Sequence, residues 1–78
     1  MKTIKLSEYN TQMGKLFILD DLNIYNGFKV KPSQILDNPS KYMDKKGTYF
    51  FLCENGTSSK RVVQILNVYG YKAIRVIL

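Results

Sequence analysis

Five consecutive residues, Thr48, Tyr49, Phe50, Phe51 and Leu52, narrow the folds open to this chain more than any other feature. Their β-branched and aromatic side chains favour a strand. They do not alternate with polar residues, so both faces of that strand must be buried. A strand covered on both faces belongs at the centre of a mostly parallel sheet with other elements laid over it. Leu16, Phe17, Ile18 and Leu19 form a second run of the same kind. Residues 3–6 alternate and read as a short strand, residues 28–31 as a brief one, and residues 71–78 as a final β-branched one. The expectation is one small α/β domain over residues 1–78. Its three layers hold a mostly parallel sheet of about four to five strands flanked by short helices.

Ser7 reads as the cap of a turn or helix that runs to Met13 and ends at Gly14. Pro32 suits the first turn of a helix through Leu36. Asn38-Pro39 breaks it, and a second short helix is expected over residues 39–44. The clearest periodic element follows Ser58 or Ser59, either of which serves as its cap. Val62, Ile65, Leu66 and Tyr69 fall at helical spacing, while Lys60, Arg61, Gln64 and Asn67 face away. Gly70 fits the left-handed residue that ends such a helix.

Strands that alternate with helices place ligands outside the carboxyl ends of the strands. The only cysteine, Cys53, stands there, just past the central strand and just before a helix. Glu54, Asn55, Gly56, Thr57, Ser58 and Ser59 complete a strand–loop–helix cradle. Backbone N–H groups of such a loop converge on one point, and the helix dipole adds partial positive charge. Both effects favour a thiolate over a thiol. Gly56 allows a tight loop, and Ser58 and Ser59 offer hydroxyl donors. The alternative is that Cys53 serves as a small buried hydrophobe, as free cysteines commonly do.

Composition removes several other chemistries. The chain has no histidine and one cysteine, so no internal disulfide forms and no metal-ligand cluster is expected. Histidine-assisted hydrolases are excluded as well. No cofactor is implied. An unpaired cysteine fits a reducing compartment. Residues 1–7 lack an apolar leader core, and no apolar run approaches the roughly 20 residues of a membrane span. A cytoplasmic protein without membrane contact is the expectation. Twelve basic residues against six acidic give a net charge of +6. The lysines are scattered, which suits a solvated surface; the alternative is an anionic partner, an acidic protein or a small anion before nucleic acid.

Residues 49–59, then Val62-Val63-Gln64-Ile65-Leu66 and Tyr69-Gly70-Tyr71, resemble the rhodanese-like sulfurtransferase domain. That family shows an apolar strand ending in Cys, a Cys-x-x-Gly-x-Arg-Ser loop, a helix, Gly-Tyr and a last strand. Leu16-Phe17-Ile18-Leu19-Asp20 resembles its second strand, and residues 34–43 resemble the segment before the active-site strand of compact bacterial members. The resemblance spans the whole chain and is strongest over residues 49–71. It implies that Cys53 accepts a sulfane sulfur as a persulfide and passes it to a thiol or protein acceptor. The amides of residues 54–59 would cradle the outer sulfur. Ser58 stands where the family carries arginine, so weak turnover of anionic donors such as thiosulfate is expected. Lys60 and Arg61 are the candidate substitute cations. Gly27-Phe28 is the only trace of the family's Gly-His-Ile motif, and Asp21-Leu22 replaces the arginine after the second strand. No counterpart of the family's final helix is expected within residues 1–78. A catalytically degenerate interaction module is the alternative these departures leave open.

Other readings fit less well. A cysteine phosphatase needs Cys-x5-Arg, and position 59 is Ser; a thioredoxin-like pair needs a second Cys, and position 56 is Gly. A phosphocysteine carrier shares Cys53, Gly56 and Ser59, but its cysteine follows the first strand. An RNA-binding motif around Lys46, Gly47 and Phe50 lacks an aromatic at Thr48. Asp20 and Asp21 read as acceptors of backbone hydrogen bonds rather than a catalytic pair, and Tyr9, Tyr25 and Tyr42 as packing residues at the core rim.

Overall fold

The structure, a computed structural model, describes residues 1–19, 27–54 and 57–78. Five strands pair in one sheet: β1 (Thr3–Lys5), β2 (Lys15–Ile18), β3 (Phe28–Lys29), β4 (Thr48–Leu52) and β5 (Lys72–Ile77). Their order is β1-β5-β4-β2-β3, and every pairing is parallel. The aromatic run 48–52 is the central strand, as its lack of alternation requires. Leu16 faces Phe50 and Ile18 faces Leu52 across one pairing; Phe51 faces Arg75 and Leu52 faces Val76 across the other.

Chain direction explains the layers. The connections from β3 to β4 and from β4 to β5 move across the sheet in the same sense. Right-handed crossovers therefore place both on one face. They carry α1 (Pro32–Asp37) and α2 (Thr57–Val68), which lie over Phe17, Phe51 and Ala73 with Ile35, Val62, Val63 and Leu66. The connection from β1 to β2 moves in the opposite sense and covers the other face. There Tyr9 packs on Leu16, Ile18, Phe50, Leu52 and Val76. Its ring lies 5.1 Å from that of Phe50, and its hydroxyl donates to the Gly14 carbonyl at 2.6 Å.

Several expected boundaries shift. Ser7 does not start a helix to Met13; a single 3-10 turn, Leu6–Glu8, precedes an irregular path to Gly14. This connection must span from the sheet edge past β5 and β4. An extended backbone reaches about 3.3 Å per residue against 1.5 Å for a helix. Tyr9 is the only buried side chain in the segment 7–13, so no apolar stripe holds a helix there. The helix expected over 39–44 is only a 3-10 turn, Pro39–Lys41. Beyond it, Asp44 accepts the amides of Lys46 and Gly47 at 2.9 and 2.8 Å and turns the chain into β4.

Helix α2 ends as expected. The Tyr71 amide donates to Leu66 and the Gly70 amide to Asn67, with Gly70 at φ 95°. These two bonds close a Schellman turn that only glycine adopts without strain. Asn67 fastens the turn to β5 by donating to the carbonyls of Tyr71 and Ala73.

Candidate active site

The last residue of β4 hands the chain directly to Cys53, which lies at the carboxyl end of the central strand. Its side chain follows the inward face of Phe51 and joins the core beneath α2. The thiol is fully buried. Asn55 and Gly56 lie outside the described residues, as do Asp20, Asp21 and Tyr25.

Helix α2 begins at Thr57, so neither Ser58 nor Ser59 caps it; both lie inside its first turn. This placement decides the geometry. The first amides of a helix have no intrahelical acceptor. Ser59 directs its amide to Cys53 Sγ at 3.2 Å, and Sγ in turn donates to Ser59 Oγ at 3.3 Å. One residue thus meets the sulfur through both its backbone and its side chain. Ser59 is also the only fully buried polar residue among those described.

The buried stripe of α2 is Ser59, Val62, Val63 and Leu66. It keeps helical spacing but is rotated from the expected Val62, Ile65, Leu66 and Tyr69. Ile65 is half-buried, and Tyr69, beyond the helix in the closing turn, is 53% exposed. Scoring only apolar residues hides Ser59, whose hydroxyl occupies the first position of the stripe because Sγ receives it. A serine at i, i+3, i+4 and i+7 register with Val62, Val63 and Leu66 was the available signal.

The other expected site residues separate into inner and outer groups. Ser58 is half-buried beside Ser59, whereas Glu54, Thr57, Lys60 and Arg61 are exposed. Lys60 and Arg61 therefore face solvent on the first turns of α2, close in sequence to Cys53 but outside its buried contact shell. The site offers a buried sulfur that the amide and the hydroxyl of Ser59 both meet, with a helix N-terminus aimed at it. Among the described residues no group of three or more His, Cys, Asp or Glu converges to hold a metal ion, and no helix is long and apolar enough to cross a membrane.

No protein-family model matches the chain, and no curated protein matches it. Solved structures do. A protein of Staphylococcus saprophyticus superposes with a TM-score of 0.80 at 24% identity, covering 99% of this chain and 87% of its own. A rhodanese-related protein of Thermoplasma volcanium gives 0.81 at 16% identity, covering 99% and 84%. A rhodanese-like domain protein of Staphylococcus aureus gives 0.76 at 24% identity, covering 99% and 85%.

Proposed function

The chain has the rhodanese-like fold, and on that premise we propose that it is a sulfurtransferase or persulfide carrier with Cys53 as the sulfur-accepting nucleophile. The observation that carries this reading is the double contact of Ser59 on Sγ at the start of α2. Loading is a displacement at sulfur. The Cys53 thiolate attacks the sulfane sulfur of a donor, a bond forms between Sγ and that sulfur, and the donor's own bond to it breaks. The electron pair leaves with the donor, as sulfite when the donor is thiosulfate. An acceptor thiolate or cyanide then attacks the outer sulfur, and the pair of that bond returns to Sγ. The Cys53-to-Ser59 segment is the proposed cradle, with Glu54, Thr57 and Ser58 at its mouth. Lys60 and Arg61 are proposed to attract anionic donors or an acidic protein partner.

Intact mass measurement after incubation with thiosulfate, polysulfide or a persulfidated donor tests the reading. The expected result is an adduct of one sulfur atom that cyanide removes. If none of the three donors gives an adduct, the sulfurtransferase reading fails. A second reading would then stand, a rhodanese-like module that binds a partner without chemistry. The full burial of Cys53 favours it, because a donor reaches Sγ only when the packing around it opens.

The serine at position 58 bears on donor choice. Ser58→Arg restores the cation of the resembling family's loop at a half-buried position in the first turn of α2. A charge-assisted hydrogen bond to an anionic donor contributes roughly 1.5–3 kcal/mol. Loading from thiosulfate is therefore expected to rise about tenfold or more, with a smaller change for an uncharged polysulfane. Equal rates for Ser58→Arg and wild type with thiosulfate would show that position 58 does not meet the donor.

A further inference from the structure

We propose that Ser59 is a catalytic residue whose hydroxyl reverses its hydrogen bond to Cys53 in each sulfur transfer, an inference that rests on the persulfide reading above. The first support is the cost of its position. Ser59 occupies a slot of the buried α2 stripe in line with Val62, Val63 and Leu66. A methyl group would place no polar atom in that slot, whereas a buried hydroxyl is unfavourable unless it is hydrogen-bonded. The sulfur of Cys53 is a partner of this one.

The second support is the different chemistry of the two contacts. An amide N–H only donates; a hydroxyl donates or accepts. In the thiol form the Sγ–H donates to Ser59 Oγ while the Ser59 amide donates to Sγ. When the packing opens to admit the donor and the thiol proton passes to the water that enters with it, Sγ has lone pairs alone. The amide bond is unchanged, and rotation about the Cβ–Oγ bond turns the hydroxyl hydrogen toward Sγ. The thiolate then has two donors from one residue, with no movement of the backbone.

The same arrangement serves the rest of the cycle. In the persulfide, Sγ is bonded to Cβ and to the outer sulfur and carries no proton, so the hydroxyl remains a donor. When an acceptor thiolate takes the outer sulfur, the S–S bond breaks and its electron pair returns to Sγ. Negative charge then develops at the atom that both Ser59 donors already face. Preorganised donors at a developing charge lower the barrier without reorganisation. Ser59 would thus assist Cys53 both as nucleophile and as leaving group, in a chain without histidine.

Three rates test this: loading of wild type and Ser59→Ala by a sulfane donor, unloading by cyanide, and alkylation of Cys53 by iodoacetamide. Urea denaturation confirms that the variants are folded. Ser59→Ala is expected to slow all three by about tenfold, the scale of one lost hydrogen bond to a charged group. Ser59→Thr, which keeps the hydroxyl, is expected to recover most of the loss. A merely structural Ser59 gives the opposite sign, because loosening the start of α2 uncovers a buried thiol and speeds its reactions. Wild-type or faster rates in folded Ser59→Ala would overturn the inference. If wild type takes up no sulfur, the persulfide reading fails; slower alkylation of Ser59→Ala would still show the hydroxyl supporting the thiolate.

Discussion

Cys53→Ala is expected to remain folded and to take up no sulfur from any donor that loads the wild type. The chain has no other thiol, so loss of the adduct should be complete rather than partial. Stability sets the condition for that test. A chain of 78 residues is expected to have about 4–12 kcal/mol of folding free energy. Removing one buried sulfur costs roughly 1 kcal/mol of transfer and cavity terms. Taking away an acceptor of a buried amide adds about 1–3 kcal/mol. The sum is tolerable but not negligible, so Cys53→Ser provides the companion variant. Its hydroxyl retains a partner for Ser59 and supplies no comparable nucleophile for sulfane sulfur. Urea midpoints for both variants, measured beside the intact masses, separate loss of chemistry from loss of fold. An adduct that persists in folded Cys53→Ser would place sulfur uptake at a residue other than Cys53.

The interior of the sheet was legible because β2 and β4 are written without alternation. Residues 48–52 and 16–19 had to be covered on both faces, which puts both runs in the interior of the sheet, as β4 and β2 are. The position of Cys53 followed from the run 48–52, since the chain passes from Leu52 directly to the carboxyl end of the central strand. The Schellman turn was legible from Gly70. Three features were not. The path from residue 7 to 14 is set by the distance from β1 to β2, a tertiary demand that local capping at Ser7 does not register. The start of α2 differs from the expectation because Ser58 and Ser59 both have the chemistry of a cap, whereas the helix already begins at Thr57. Its burial stripe was misread because apolar periodicity alone passes over Ser59. That residue marks where local rules and the candidate chemistry diverge. A polar side chain in a core position is a conflict in the packing pattern, and the sulfur across from it is a partner that answers it.

Phe51→Ala is expected to lose about half or more of the folding free energy at 25 °C. Phe51 is fully buried in the middle of β4, and its ring is stacked on Phe17 with centroids 5.2 Å apart and planes 12° from parallel. Truncating a buried phenylalanine costs about 3–5 kcal/mol, and the aromatic pair adds roughly 0.5–1.5 kcal/mol. Against about 4–12 kcal/mol in total, this loss takes about half or more of the stability. Collapse around the gap is restricted. Phe17 belongs to the neighbouring strand β2, and Val62, Val63 and Leu66 of the same core are held by helix α2. Tyr69→Ala provides the contrast, because Tyr69 is 53% exposed beyond the end of α2. Its removal is expected to change stability by no more than about 0.5 kcal/mol. Urea denaturation followed by circular dichroism should therefore show a midpoint moved far toward zero for Phe51→Ala and almost unchanged for Tyr69→Ala. The reverse order would mean that α2 buries the stripe ending at Tyr69, which would turn Ser59 away from Cys53 and remove the basis for its proposed role.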